Sequence, residues 1–84
     1  MIVRLRLVGV RAANPDVPQG GELTLEPGST VADVIAVTGP DEPEHMAVFV
    51  NGEQVEKTDW SATVLSQNDE IVLIRPLEGG SGYI

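Results

Sequence analysis

The chain has 84 residues, 42% of them apolar, with thirteen acidic against five basic side chains for a formal charge of −8, and it contains no cysteine. A chain this short forms one domain, burying about 60–65% of its unfolded surface. The acid excess repels nucleic acid and anionic membranes, and the missing thiols exclude disulfides, thiolate nucleophiles and Cys-ligated iron–sulfur clusters.

Residues 2–8 alternate Val3, Leu5 and Leu7 with Arg4 and Arg6, a period of two that predicts a strand with one buried face. The same interleaved arginines break up what would be the apolar region of a secretory leader, and no apolar run is long enough to cross a bilayer, so the expected location is cytoplasmic. Residues 11–21 hold Asn14, Pro15, Asp16, Pro18, Gly20 and Gly21, which predicts a long, mobile hairpin loop. Residues 22–26 alternate again with Leu23 and Leu25 inward, and Pro27-Gly28 ends this second strand. Thr30 and Asp33 then have the spacing of a capping box, in which the threonine accepts from a free N–H and the acid returns the bond. Val31, Val34 and Ile35 form the apolar stripe of a helix of about nine residues stopped by Gly39-Pro40. Residues 41–45 read as an acidic loop. Residues 47–50 and 53–55 flank Asn51-Gly52, the signature of a tight hairpin. After a polar stretch containing Trp60, the turn 67–69 leads into a last strand, Ile71 to Ile74, apolar without interruption.

No catalytic constellation emerges. His45 sits among Glu42 and Glu44 without metal-site spacing, so a solvated loop explains it and no metal is expected. One histidine and these acid spacings assemble neither an acid–base pair nor a Ser/His/Asp arrangement. Trp60 reads as a lid on one end of the core.

The order β-β-α-β-β-β predicts an α+β fold of the ubiquitin-like β-grasp type: a mixed four- to five-stranded sheet, one main helix on one face, and the last strand central beside the first. With Ile71 and Leu73 turned to the helix, Val72 and Ile74 turn away, and alternation places Phe49 with them on an open face that is a candidate docking patch.

Several motifs resemble the MoaD/ThiS family of sulfur-carrier proteins across nearly the whole chain. Residues 27–35 are similar to that family's opening of the helix, Val48 through Gly52 to its third strand and turn, and Leu65 through Asp69 to its Leu-x-x-Gly-Asp turn, with Asn68 in place of Gly. Asn tolerates the left-handed conformation such a turn needs. The ending Arg75-Pro76-Leu77-Glu78-Gly79-Gly80 resembles the family's hydrophobic-Pro-x-x-Gly-Gly tail.

The resemblance implies a carrier and not an enzyme, with no cofactor of its own. Its partners would be an ATP-dependent adenylating enzyme, which activates the carboxylate of Gly80, and a sulfur-accepting synthase, which draws sulfide from the resulting thiocarboxylate. Residues 1–77 would form the domain and 78–84 a flexible tail. Gly79 and Gly80 would be the working end, with Phe49, Val72, Ile74, Arg75, Pro76 and Leu77 docking the partner. Glycines suit a tail that must thread a narrow channel, and Pro76, lacking an N–H, helps release it from the sheet. Four residues, Ser81 to Ile84, follow Gly80, so a peptidase of the JAMM type is expected to remove them. Two other readings remain: a ubiquitin-like modifier joined through Gly80 to lysines, with Lys57 the single internal lysine, and an uncleaved subunit that binds through Phe49, Val72 and Ile74.

Overall fold

A computed structural model describes residues 1–18 and 20–75. The expected domain boundary at residue 77 and the tail 78–84 lie outside the described residues.

Five strands form one mixed sheet: β1 (Ile2–Val8), β2 (Gly20–Thr24), β3 (Ala47–Val50), β4 (Glu53–Val55) and β5 (Glu70–Ile74), in the order β2-β1-β5-β3-β4. β5 is parallel to β1 and antiparallel to β3, so it is the central strand. That position explains its unbroken apolar sequence, because neither of its edges is free and one face is fully covered. Leu5, Ile71 and Leu73 lie on that covered face with Val3, Val48 and the helix residues Val31 and Val34, every one of them at most 2% exposed.

The helix α1 (Val31–Thr38) begins where the capping box predicts. The Asp33 N–H donates to Thr30 Oγ1 (3.3 Å) and the Thr30 N–H donates to Asp33 Oδ2 (2.8 Å). The remaining N–H groups of the first turn are also satisfied, by carbonyls from the polar stretch: Val31 N–H to Thr63 O and Ala32 N–H to Trp60 O, both 3.0 Å. Trp60 closes that end of the core, 9% exposed, with its indole N–H donating to Val55 O (3.1 Å). At the other end Gly39 takes φ 64°, ψ 47° and its N–H returns to Ile35 O, the left-handed cap that a residue without Cβ adopts at little cost.

Three stretches differ from the sequence expectations. The second strand spans 20–24 and not 22–26, because Gly20 and Gly21 are drawn into register with Arg6 and Leu5. Leu25 lies past its end yet still packs against the core. The segment before it is tied down, not loose: the N–H groups of Ala13 and Asn14 donate to Thr38 O, Asn14 Nδ2 donates to Val37 O, and Val17 is 7% exposed. The acidic loop and the polar stretch each contain a single 3₁₀ turn, Pro43–His45 and Lys57–Asp59.

Asn51 and Asn68 both take positive φ, 52° and 71°. Asn51 Nδ2 donates to Asp69 Oδ1 and Asn51 Oδ1 accepts from the Glu70 N–H, both at 2.9 Å, so one side chain locks the β3–β4 turn to the start of β5.

Among the described residues Thr38 is the one polar residue of the buried set, and its hydroxyl has no partner among them. An unsatisfied buried hydroxyl costs about 1–3 kcal/mol. Thr38→Val keeps the shape and removes the orphan, so the midpoint of urea unfolding should rise by the equivalent of about 1 kcal/mol. A fall in the midpoint would mean that the hydroxyl has a partner in solution.

Candidate functional site

The strand register fixes what the uncovered face of the sheet presents. Side chains opposite one another on adjacent strands point to the same side, so Gly20, Arg6, Val72, Phe49 and Gln54 form one row across all five strands. The row toward the end of β5 is Val8, Ile74 and Ala47. The row toward its start is Glu22, Arg4 and Glu70. Phe49, Val72 and Ile74 are therefore brought together as expected, all half-buried. Their inward-facing neighbours Ile71 and Leu73 are completely buried.

Val8 joins this patch and was not singled out in the sequence, although the alternation that places Arg4 and Arg6 outward places Val8 there too. At 43% exposed it extends the apolar surface toward the end of β5. The patch has a polar flank. Arg4 lies between Glu22 and Glu70, whereas Arg6 lies between Gly20 and Val72, neither of them charged. Because Gly20 and Gly21 carry no side chains, an open depression forms beside the two arginines. An apolar centre with a polar border is the usual anatomy of a protein–protein contact.

Arg75, the last described residue, stands one step past the end of β5. Its N–H donates to Val8 O (3.0 Å), carrying the β1–β5 ladder one step past the strand. Its guanidinium donates to Asp41 O and lies 3.4 Å from Glu42 Oε1. No local pattern marks these two partners, which lie 34 and 33 residues away. Of the other expected site residues, Pro76, Leu77, Gly79 and Gly80 lie outside the described residues.

A model of the ThiS family matches residues 14–80. The chain belongs to the ThiS family. Two solved structures share its fold. One is thiamine biosynthesis protein ThiS from Geobacter metallireducens, with a TM-score of 0.65, 19% identity, and coverage of 92% of this chain and 99% of that one. The other is SAMP1 from Haloferax volcanii, with a TM-score of 0.63, 19% identity, and coverage of 95% and 100%. No curated protein sequence matches. ThiS-family membership makes this a small ubiquitin-like sulfur carrier or modifier, not a catalyst, and implies an adenylating enzyme as its partner. Among the described residues no cluster of His, Asp and Glu could hold a metal ion, and no helix is long and apolar enough to cross a membrane.

Proposed function

We propose that this ThiS-family chain is a sulfur carrier that works through the carboxylate of Gly80 after residues 81–84 are removed. One observation carries the reading: the family match stops at residue 80, the second glycine of the pair, and leaves Ser81 to Ile84 beyond it. The extension is then an addition to a carrier whose working end is Gly80.

The chemistry has three steps. A peptidase, of the JAMM type in this reading, hydrolyses the Gly80–Ser81 peptide bond and leaves a carboxylate on Gly80. That carboxylate attacks the α-phosphorus of ATP in the adenylating enzyme, pyrophosphate leaves, and an acyl-adenylate forms. Hydrosulfide attacks the acyl carbon, AMP leaves, and the thiocarboxylate so formed gives up its sulfur to a synthase in cofactor or natural-product assembly, with hydrolysis restoring the Gly80 carboxylate. All catalytic groups belong to the partners. The carrier supplies a side-chain-free end, which meets little steric resistance in a narrow channel, and a surface that holds the partner while the end is inside.

For that surface we propose the open face, with Phe49, Val72, Ile74 and Val8 as its apolar centre and Arg75, Pro76 and Leu77 as further docking residues. Burying such a patch removes apolar area from water, and the row structure keeps it on the sheet, where the geometry is rigid.

Intact-mass analysis of the protein from its native cell tests the processing step. The expected result is a species ending at Gly80, with a fraction heavier by the replacement of one oxygen by sulfur, about 16 Da. Lysine conjugates bearing the Gly79-Gly80 remnant would favour the modifier reading instead. Full-length protein alone would support the uncleaved subunit.

A further inference from the structure

β2 is an edge strand, and the hydrogen bonds of its neighbour show which of its backbone groups face outward. The Leu25 N–H donates to the Met1 carbonyl (2.8 Å) and the Met1 ammonium to the Leu25 carbonyl (3.0 Å), so these two residues form a hydrogen-bonded pair at the end of the β1–β2 ladder. Along antiparallel strands such pairs alternate with pairs whose N–H and C=O groups point away from each other. The register therefore turns the backbone groups of Leu23 and Gly21 toward β1 and those of Thr24, Glu22 and Gly20 outward. β1 agrees: its Arg4 N–H donates to Asp69 O (2.8 Å) and its Ile2 carbonyl accepts from the Asn68 N–H (2.7 Å), both on the β5 side. The three outward residues of β2 are exposed. The other edge of the sheet, β4, is only three residues long, and shortness is one way a protein guards an edge against strand addition. β2 is five residues long and carries neither proline nor lysine.

Beside this edge stands an arginine with no charge set against it. Arg4 is in register with Glu22 on one side and Glu70 on the other, whereas Arg6 is in register with Gly20 and Val72. Among the described residues the Arg6 guanidinium takes part in no ion pair. Gly20 leaves the ground between Arg6 and the edge empty, and packing does not require a glycine there, since an added Cβ would meet nothing nearer than the Leu5 carbonyl oxygen at 3.9 Å. Adjacent strands lie about 4.8 Å apart, so a strand added to β2 would stand about 10 Å from β1. Its side chain in register with Gly20 would then face Arg6 across a gap that no side chain fills.

Resting on the adenylating enzyme as partner, we propose that the outer edge of β2 takes up an extended segment of that enzyme, and that an Asp or Glu of the segment, in register with Gly20, pairs with Arg6. Backbone hydrogen bonds to Glu22 and Thr24 hold the segment on the edge, and the ion pair fixes its register. The added strand lengthens the row Gly20, Arg6, Val72, Phe49 and Gln54 by one side chain, so it is continuous with the open face. The segment's residue opposite Glu22 is basic or neutral, because like charges directly opposite one another are destabilising.

The test is calorimetric titration, without ATP, of the cognate adenylating enzyme with chains ending at Gly80. Arg6→Ala should raise Kd about tenfold, the low end for a close interfacial charge pair, and Arg4→Ala less than about twofold, as for an exposed surface charge. Gly20→Asp should match Arg6→Ala, because it sets a carboxylate directly opposite Arg6 in place of the enzyme's, whereas the uncharged Gly20→Asn should change Kd less than about threefold. Amide hydrogen exchange supplies a second readout: the Glu22 and Thr24 N–H groups should exchange fast in the free chain and become protected in the complex, while that of Leu23 is protected in both. Equal losses from Arg6→Ala and Arg4→Ala, or Glu22 and Thr24 amides that stay fast in the complex, would overturn the proposal. Binding without pyrophosphate exchange would remove the activation of Gly80 and leave the strand addition standing. Wild type that does not bind the enzyme would remove the partner and overturn both.

Discussion

Leu73→Ala should lower stability by about 2–5 kcal/mol, the range for deleting a fully buried leucine side chain. Leu73 has no exposed surface. It lies on the central strand, opposite Leu7 on one side and Val48 on the other, so two flanking strands and the helix layer all lose contacts and none can move in without breaking its own ladder. A domain of this size starts with roughly 5–15 kcal/mol in total, so a loss of this size is a large part of it. Urea unfolding is the measurement, with an unchanged slope showing that the same surface is exposed. Val72→Ala, one residue away on the open face, should cost under about 1 kcal/mol because its side chain is only half-buried. Equal losses at the two positions would mean that the open face is covered in the isolated protein and is not a free docking surface.

This contrast between neighbours could be read from the sequence, since a strand turns successive side chains to opposite faces. The capping box at Thr30 and Asp33, the Asn51-Gly52 turn, the left-handed Asn68 and the central position of the last strand were legible for the same reason: each is written in a few adjacent residues. The start of the second strand was not. Gly20 and Gly21 have turn chemistry, and only pairing with Arg6 and Leu5 of β1 makes them extended. The docking of residues 13–17 onto the end of the helix was hidden for a similar reason. It depends on the Thr38 carbonyl being presented at the helix end, a consequence of the assembled structure.

The candidate site divides along the same line. Phe49, Val72 and Ile74 follow from alternation, and Val8 follows from it too once β1 is known to lie beside β5. The partners of Arg75 do not. Asp41 and Glu42 read as members of a solvated acidic loop, and nothing local marks a loop that reaches across 33 residues to a strand end. Charge gave little help either, since thirteen acidic residues leave every arginine with many candidate partners.

The second large effect concerns the end of the chain. In the proposed reaction, attack on ATP requires a free carboxylate on Gly80, and in the full sequence that carbon is the amide carbonyl joined to Ser81. An amide oxygen is a far poorer nucleophile than a carboxylate, and four further residues, two of them the bulky Tyr83 and Ile84, would have to enter a channel suited to glycine. The dependence should therefore be close to all-or-none, whereas changes on the docking face act only through affinity.

ATP–pyrophosphate exchange with the cognate adenylating enzyme, run side by side on chains ending at Gly80 and at Ile84, tests this most directly. Exchange is expected with the first and none above background with the second, until a peptidase that cuts after Gly80 is added. Equal exchange from both, or none from the chain ending at Gly80, would contradict the account.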